Sequence, residues 1–487
     1  METVELDSLF LSKRILVNID ECKDFISGGI LVSNVDGIIK RIFTSQQEIN
    51  SWMFGAHGAE VYDFGEKVIM SGLIDANVNI CSGGDCEDFC SITKAAGAGG
   101  YTCIVDNPLT SKPPTTTLKN LKDKITEARK KNSLHIDVAF WGGVIADNHE
   151  ELLPMANLGV CGFKGALNSS DCTLHLNKES LKSALETLEE TNCVFAIKSN
   201  LDGKSADGTC SKEYQSFLAL NPASIERAGV EIVIELIKQH KMHIHLTDIS
   251  SAECLPLISK YNSQKTSKQS TLSIETSYPY LTLTSDEISN GKTENKCMPP
   301  IRNANNKSKL WEAMKCYEFS NISSSHMAST IKSKCLIGGR NRGNFIEASF
   351  GISSLQFGLP IFWTECQKNS MSIHDVHRFM SYHPAKLCGL DKNKGLLKVG
   401  YDADFCIWDP SEEWTITKEA DLLKNKTSPY YGMVVKGRVY ATVVRGFFVY
   451  DGNHPNDFDE AIGTIILKKP MKRSERRLLL DDDDETE

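Results

Sequence analysis

Between residues 68 and 323 the chain repeats one pattern eight times: an apolar run of strand length, then a longer segment with helical spacing of apolar residues. The runs are VIMSGLI from Val68, CIVD from Cys103, IDVAFW from Ile136, VCGFK from Val160, CVFAIK from Cys193, HIHLTD from His243, LSIET from Leu272 and a weaker FSNIS from Phe319. Strands covered on both faces read as continuous apolar runs, and parallel neighbours need long crossovers, so this alternation specifies a parallel α/β protein. Eight such units predict a (β/α)8 TIM barrel with insertions, whose chemistry gathers at the C-terminal ends of the strands. The polar residues at those ends, Asn77, Asn79, Lys164, Lys198, Asp248 and Ser325, are therefore the first candidates for function.

The two ends of the chain have a different texture. Short apolar runs separated by turn residues occur at Arg14, Gly29 and Gly37, and the same texture returns at Ala403 and Val439. Both ends are expected to contribute to one small sheet domain. The predicted organisation is half of a β-sandwich over residues 1–67, the barrel over 68–394, the other half of the sandwich over 395–455, and a charged tail over 456–487. In that tail a basic block, three leucines and DDDDETE follow one another, a pattern expected to stay solvated.

Charge removes two classes of partner. The formal net charge is −9, and six of the negative charges lie in the last seven residues. No basic field is left to hold nucleic acid or an anionic membrane surface, and no stretch of about 18 apolar residues spans a bilayer. The 16 cysteines are spread along 487 residues, unlike the dense framework of a secreted mini-domain. They are expected to be reduced thiols in a cytosolic protein, since the N-terminus lacks a secretory apolar core.

Several longer motifs are recognisable. VIMSGLIDANVN, from Val68 to Asn79, resembles the first-strand motif of the amidohydrolase superfamily, in which a Gly-Leu-Ile-Asp run leads into His-x-His. GFKGAL from Gly162 resembles the family segment whose lysine becomes carboxylated and bridges two metals. ISSAE from Ile249, TENKCMPPIR from Thr293, GISSLQFGLP from Gly351 and KNKTSPY from Lys424 are similar to allantoinases. The resemblance runs from about Val68 to Gly452. It implies a cyclic-amide hydrolase that opens the hydantoin ring of allantoin, with two divalent cations, typically zinc, and an aspartate as general base. It also implies a homo-oligomer.

Carried over position by position, the resemblance fails where the metals belong. The two first-strand histidines fall on Asn77 and Asn79, the later ones on Lys198 and Asp248, and the metal-binding, catalytic aspartate falls on Ser325; only Lys164 is kept. Amides are poor zinc ligands and an ammonium repels a cation, so no metal cofactor is expected. Lys164 is expected to be an ordinary ammonium, possible partner Asp248. In the substrate region Thr110 and Ser111 replace Asn-Ser and Pro279 replaces a histidine, whereas Arg302 and the loop carrying Ser353 and Ser354 are intact and are expected to bind substrate. The reading is a catalytically degenerate relative that binds a small ureide or a partner. Its rival is an active allantoinase or related cyclic amidase with an altered metal site.

Other candidates carry less. Cys81, Cys86 and Cys90 lack a recognised zinc spacing and read as plain thiols. His243 and His245 share one strand face, and Asp248 has the opposite parity unless the strand ends early. Asp75 and His326 read as structural. Ser325 and His326 are adjacent, so on one strand they face opposite ways and make no serine-hydrolase triad with Asp248.

Overall fold

A computed structural model describes residues 7–17, 25–54, 58–80, 87–168, 175–204, 210–458 and 460–468. The N-terminal strands are β1 (Asp7–Ile15), β2 (Ile26–Val32), β3 (Ile39–Phe43), β4 (Ala59–Asp63) and β5 (Val68–Ser71). The middle of the chain supplies β6 (Leu73–Val78), β7 (Tyr101–Asp106), β8 (Asp137–Phe140), β9 (Gly142–Gly143), β10 (Gly162–Ala166), β11 (Val194–Lys198), β12 (His243–Thr247), β13 (Thr271–Ser277) and β14 (Asn321–Ser323). The return strands are β15 (Phe405–Thr415), β16 (Val434–Val444) and β17 (Phe447–Asp451).

All eight apolar runs place a strand in the barrel: β6, β7, β8 and β10 to β14, in parallel pairs. The crossovers are helices held by local chemistry. Helix 178–189 opens on a capping box between Asn177 and Ser180 and buries Leu181, Ala184, Leu185 and Leu188, the i, i+3, i+4, i+7 stripe of a helix laid on a sheet. Helix 89–98 starts where the Asp88 carboxylate accepts the Ser91 amide.

The chain ends meet as expected, in one sheet of order β17-β16-β15-β5-β1-β2-β3 with β4 beside β1. The predicted barrel boundary at residue 68 needs correction. Val68–Ser71 pairs with β1 and β15 and so belongs to this terminal sheet, and the barrel begins at Leu73 after Gly72, where a Cβ would lie 2.1 Å from Thr102.

The tail expected from residue 456 also begins differently. Its described part, up to Lys468, packs along the N-terminal ends of the barrel strands. Thr464 O accepts the Val138 amide, Ile466 N donates to Val138 O, and Lys468 N donates to Gly159 O. A charged seam lies alongside: Asp137 is bound by Arg445 and Lys394, and Lys394 also meets Asp402 and Asp404 within 2.9 Å. Burial alone would raise the Asp137 carboxyl, but Lys394 and Arg445 outweigh it and hold it below the usual range. A buried, fully bonded cluster of this kind fixes geometry more than it adds stability.

Candidate functional site

The C-terminal ends of the barrel strands open into one pocket lined by Asn79, Lys198, Asp248, Ser277, Cys297 and Ser325, with Tyr280, Met298, Met327 and Phe350 as its apolar walls. The free volume between them is about 30 Å³, room for one or two waters. The mouth is filled largely by its own side chains.

Beneath it runs a buried polar network. Lys164, 2% exposed, donates to Asn77 Oδ1 at 2.6 Å. Asn77 Nδ2 donates to Glu275 Oε1 at 3.1 Å and lies 3.4 Å from an Asp248 oxygen. Asp248 accepts a second hydrogen bond, from Ser277 Oγ at 2.9 Å. Glu275 is bound further by Asn321 and Ser323, with His245 Nε2 3.3 Å away. Two ammonium groups, Lys164 and Lys198, thus share the barrel end with two carboxylates, Asp248 and Glu275. In a medium of low polarity that balance keeps each charge tolerable.

Two backbone positions aim these groups. Asp248 has φ +59° and Ser325 φ +46°, left-handed values that are uncommon outside glycine and collect at functional sites. β12 has ended at Thr247, so the alternation that set Asp248 against His243 and His245 no longer applies, and Asp248 turns into the barrel. Those two histidines instead share the Ser273 hydroxyl, at 2.7 and 2.8 Å.

The remaining predicted residues divide. Asn79 faces the pocket, its amide held by Thr110 Oγ1 and His326 O. Asp75 is fully buried, accepts the amides of Asn77 and Ser324, and is pushed up to about 7 by burial, against those hydrogen bonds. His326 is held near 4 by burial and makes no contact with Ser325 or Asp248 among the described hydrogen bonds. Cys90 is a free thiol; Cys81 and Cys86 lie outside the described residues.

The three expected substrate contacts do not reach this pocket. Ser353 and Ser354 are buried behind the loop, which presents Gly351 and Ile352 instead. Gly351 sits at φ +104°, and a Cβ there would meet Met327 at 2.6 Å, so only glycine lets the loop close on the mouth. Arg302 is turned away, bound to Glu226 Oε2 at 3.1 Å and to Asn221 O. Conversely, Glu275 escaped the sequence reading although a glutamate inside the apolar run LSIET was a visible signal.

For a metal, the described residues bring only Asp137, Asp402 and Asp404 together as a group of three candidate ligands, and the Lys394 ammonium fills that space. No described helix is long and apolar enough to cross a membrane.

Comparison with known proteins agrees with this architecture. The Dihydro-orotase-like family matches residues 66–254 and the Amidohydrolase family residues 341–449. The chain is 38% identical over 400 residues to a mitochondrial allantoinase of Aquarana catesbeiana, covering 80% of this chain and 78% of that one. It is 34% identical to the allantoinase of Streptomyces avermitilis, over 85% of this chain and 90% of the other. Among solved structures it resembles the L-hydantoinase (dihydropyrimidinase) of Arthrobacter aurescens with a TM-score of 0.83 and 24% identity, covering 95% of this chain and 100% of that one. That likeness carries the fold, a TIM barrel beside a β-sandwich, and the sequence relatives carry the family: this chain belongs to the allantoinases, within the amidohydrolases.

Proposed function

We propose that this chain is a metal-independent allantoinase-family protein that binds a small polar ligand of ureide chemistry at the barrel mouth without hydrolysing it. The observation that carries the reading is the 2.6 Å hydrogen bond from Lys164 to Asn77. Asn77, Asn79, Lys164, Lys198, Asp248 and Ser325 stand at the positions where the family resemblance calls for metal ligands, and their chemistry does not fit two divalent cations. They offer two neutral amides, two ammonium groups, one hydroxyl and a carboxylate already bound by Ser277. Hard and borderline cations need anionic or imidazole donors, and an ammonium supplies neither a lone pair nor the right sign of charge.

What the site can do is hydrogen-bond. Lys198, Asp248 and Ser277 present donors and acceptors to the pocket, the complement of a urea group, once Met327 and Phe350 give way. A second reading, an active allantoinase with an altered site, is favoured by the 38% identity to the frog protein of that name. One experiment separates them: metal content of the purified chain together with allantoin turnover. Less than a tenth of an ion per chain, no turnover and a ureide-induced rise in melting temperature support the first reading; about two ions per chain with turnover overturn it.

We also propose a cytosolic setting and self-association into a homo-oligomer. The free state of the described cysteines supports the first. Fractionation tests it, because the frog relative is named as mitochondrial.

A further inference from the structure

The free volume of the barrel mouth is about 30 Å³, so anything larger than a water or two enters only if a wall moves. One wall, residues 346–351, carries Phe350 and Gly351 to the mouth and is bonded mainly within its own loop. Ser349 N donates to Ser333 O, Ala348 N to Asn344 O, and Ser329 Oγ to Phe350 O. Among the described hydrogen bonds, its only tie to the chain outside residues 326–352 is Lys296, whose Nζ donates to Ile346 O at 3.0 Å and to Ala348 O at 2.6 Å. We infer that Lys296 is a positioning residue, a latch that holds this segment shut over the mouth and so controls ligand entry. The inference rests on the reading of the mouth as a ligand site.

The latch is fixed to one wall while it grips another. Lys296 directly precedes Cys297 and Met298, both of which line the mouth, and its own carbonyl accepts from Lys334 Nζ at 2.8 Å. The side chain is 2% exposed. Its Nζ lies 4.4 Å from the centroid of the Phe350 ring and 5.1 Å from that of Phe217, on helix 214–220. Two carbonyls and two aromatic faces satisfy the three donors of a buried ammonium. A neutral amine in the same place makes weaker hydrogen bonds and loses its attraction to the rings. Burial lowers Lys296 to about 8, although Cys335 and Glu347 pull it back up; Lys334 is its like-charged neighbour. The latch is therefore held at pH 7 and loosens as pH rises through about 8.

Cys297 reports the opening without any ligand. It lines the mouth and is 7% exposed, whereas Cys103 and Cys406 are fully buried and do not line it. The test is timed alkylation of the full-length chain by N-ethylmaleimide, read cysteine by cysteine by mass spectrometry. At pH 7, Cys297 of K296M is expected to label about tenfold faster or more than in the wild type, with Cys103 and Cys406 still protected and protection of Cys297 restored in K296R. The ratio of the wild-type to the K296R rate at Cys297 is expected to rise between pH 7 and pH 9, because arginine keeps its charge there. The titrations of the thiol and of Lys334 are common to both proteins and cancel in that ratio. Equal Cys297 rates in wild type and K296M, or a ratio flat with pH, overturn the latch; if K296M fails to fold, the pH ratio alone decides. Allantoin is then added to K296M. Protection of Cys297 supports the ureide reading, and unchanged labelling counts against that reading while leaving the latch in place.

Discussion

Lys164 Nζ lies 2.6 Å from Asn77 Oδ1, and through that amide a buried ammonium on β10 is joined to Glu275 on β13 across the barrel. An internal hydrogen-bond network thus stands where this family's resemblance calls for a binuclear centre. The first prediction concerns occupancy. After incubation with excess zinc and dialysis, elemental analysis finds less than about 0.1 zinc per chain, because the described residues of the mouth bring no three anionic or imidazole donor atoms within reach of one ion. Two tightly held ions would end the reading.

Asn77 is predicted to be the least replaceable side chain of the mouth. Asn77→Leu keeps the branched shape and number of heavy atoms but removes an acceptor from Lys164 and a donor from Glu275. Leaving buried charged groups with fewer partners costs about 2–4 kcal/mol, read as a lower urea midpoint at unchanged slope. An unaltered midpoint would show that the network is incidental.

Lys334, only 1% exposed, gives a pH prediction. Burial lowers it from the ordinary lysine value to about 7, and its ammonium donates to Lys296 O. Between pH 7 and the unfolded value near 10.5 the unfolded chain binds this proton and the folded chain does not. Stability attributable to Lys334 therefore rises with pH in that window. Relative to Lys334→Met, the wild type gains about 3 kcal/mol between pH 7 and pH 10. Parallel stability curves for the two proteins would exclude the shift.

How much of this was legible follows from the range of each signal. Eight barrel strands could be read because a buried parallel strand leaves a continuous apolar run, a local pattern. Val68 to Ile74 misled at the boundary because one run serves two sheets, split at Gly72. Arg302 was placed at the mouth by its motif, yet its direction depends on Glu226, 76 residues earlier. Ser353 and Ser354 failed likewise: the loop that carries them does face the mouth, but through Gly351 and Ile352. Lys164 and Asp248 were expected as possible partners. The structure places Asn77, a residue weighed only as a lost ligand, against both of them.

The C-terminal segment is predicted to be structural. Ending the chain at Pro455 removes the backbone partners of Val138 and Gly159 and the Thr464 donors to Asp137. Buried backbone groups left unpaired cost about 1–3 kcal/mol each, so the truncated chain should melt several degrees lower. Removing only residues 469–487 leaves these bonds in place and should not change the melting temperature. Equal melting of both truncations and the intact chain would show that the docked segment adds nothing.

The last prediction asks whether the scaffold still holds the geometry of its family. Asn77→His, Asn79→His, Lys198→His, Asp248→His and Ser325→Asp together replace every departed position while leaving Lys164. The backbone favours the attempt. Position 248 at φ +59° and position 325 at φ +46° are left-handed, and histidine and aspartate are among the side chains that tolerate this region best. The β10–β11–β12 pairing that spaces positions 164, 198 and 248 is regular. The new donors, four imidazoles and a carboxylate, suit zinc where the present amides and ammonium do not. We expect about two zinc ions per chain after dialysis, with a rise in melting temperature on metal addition, and allantoin turnover absent from the wild type. A folded variant that takes up no zinc would mean that the mouth has moved by more than its side chains.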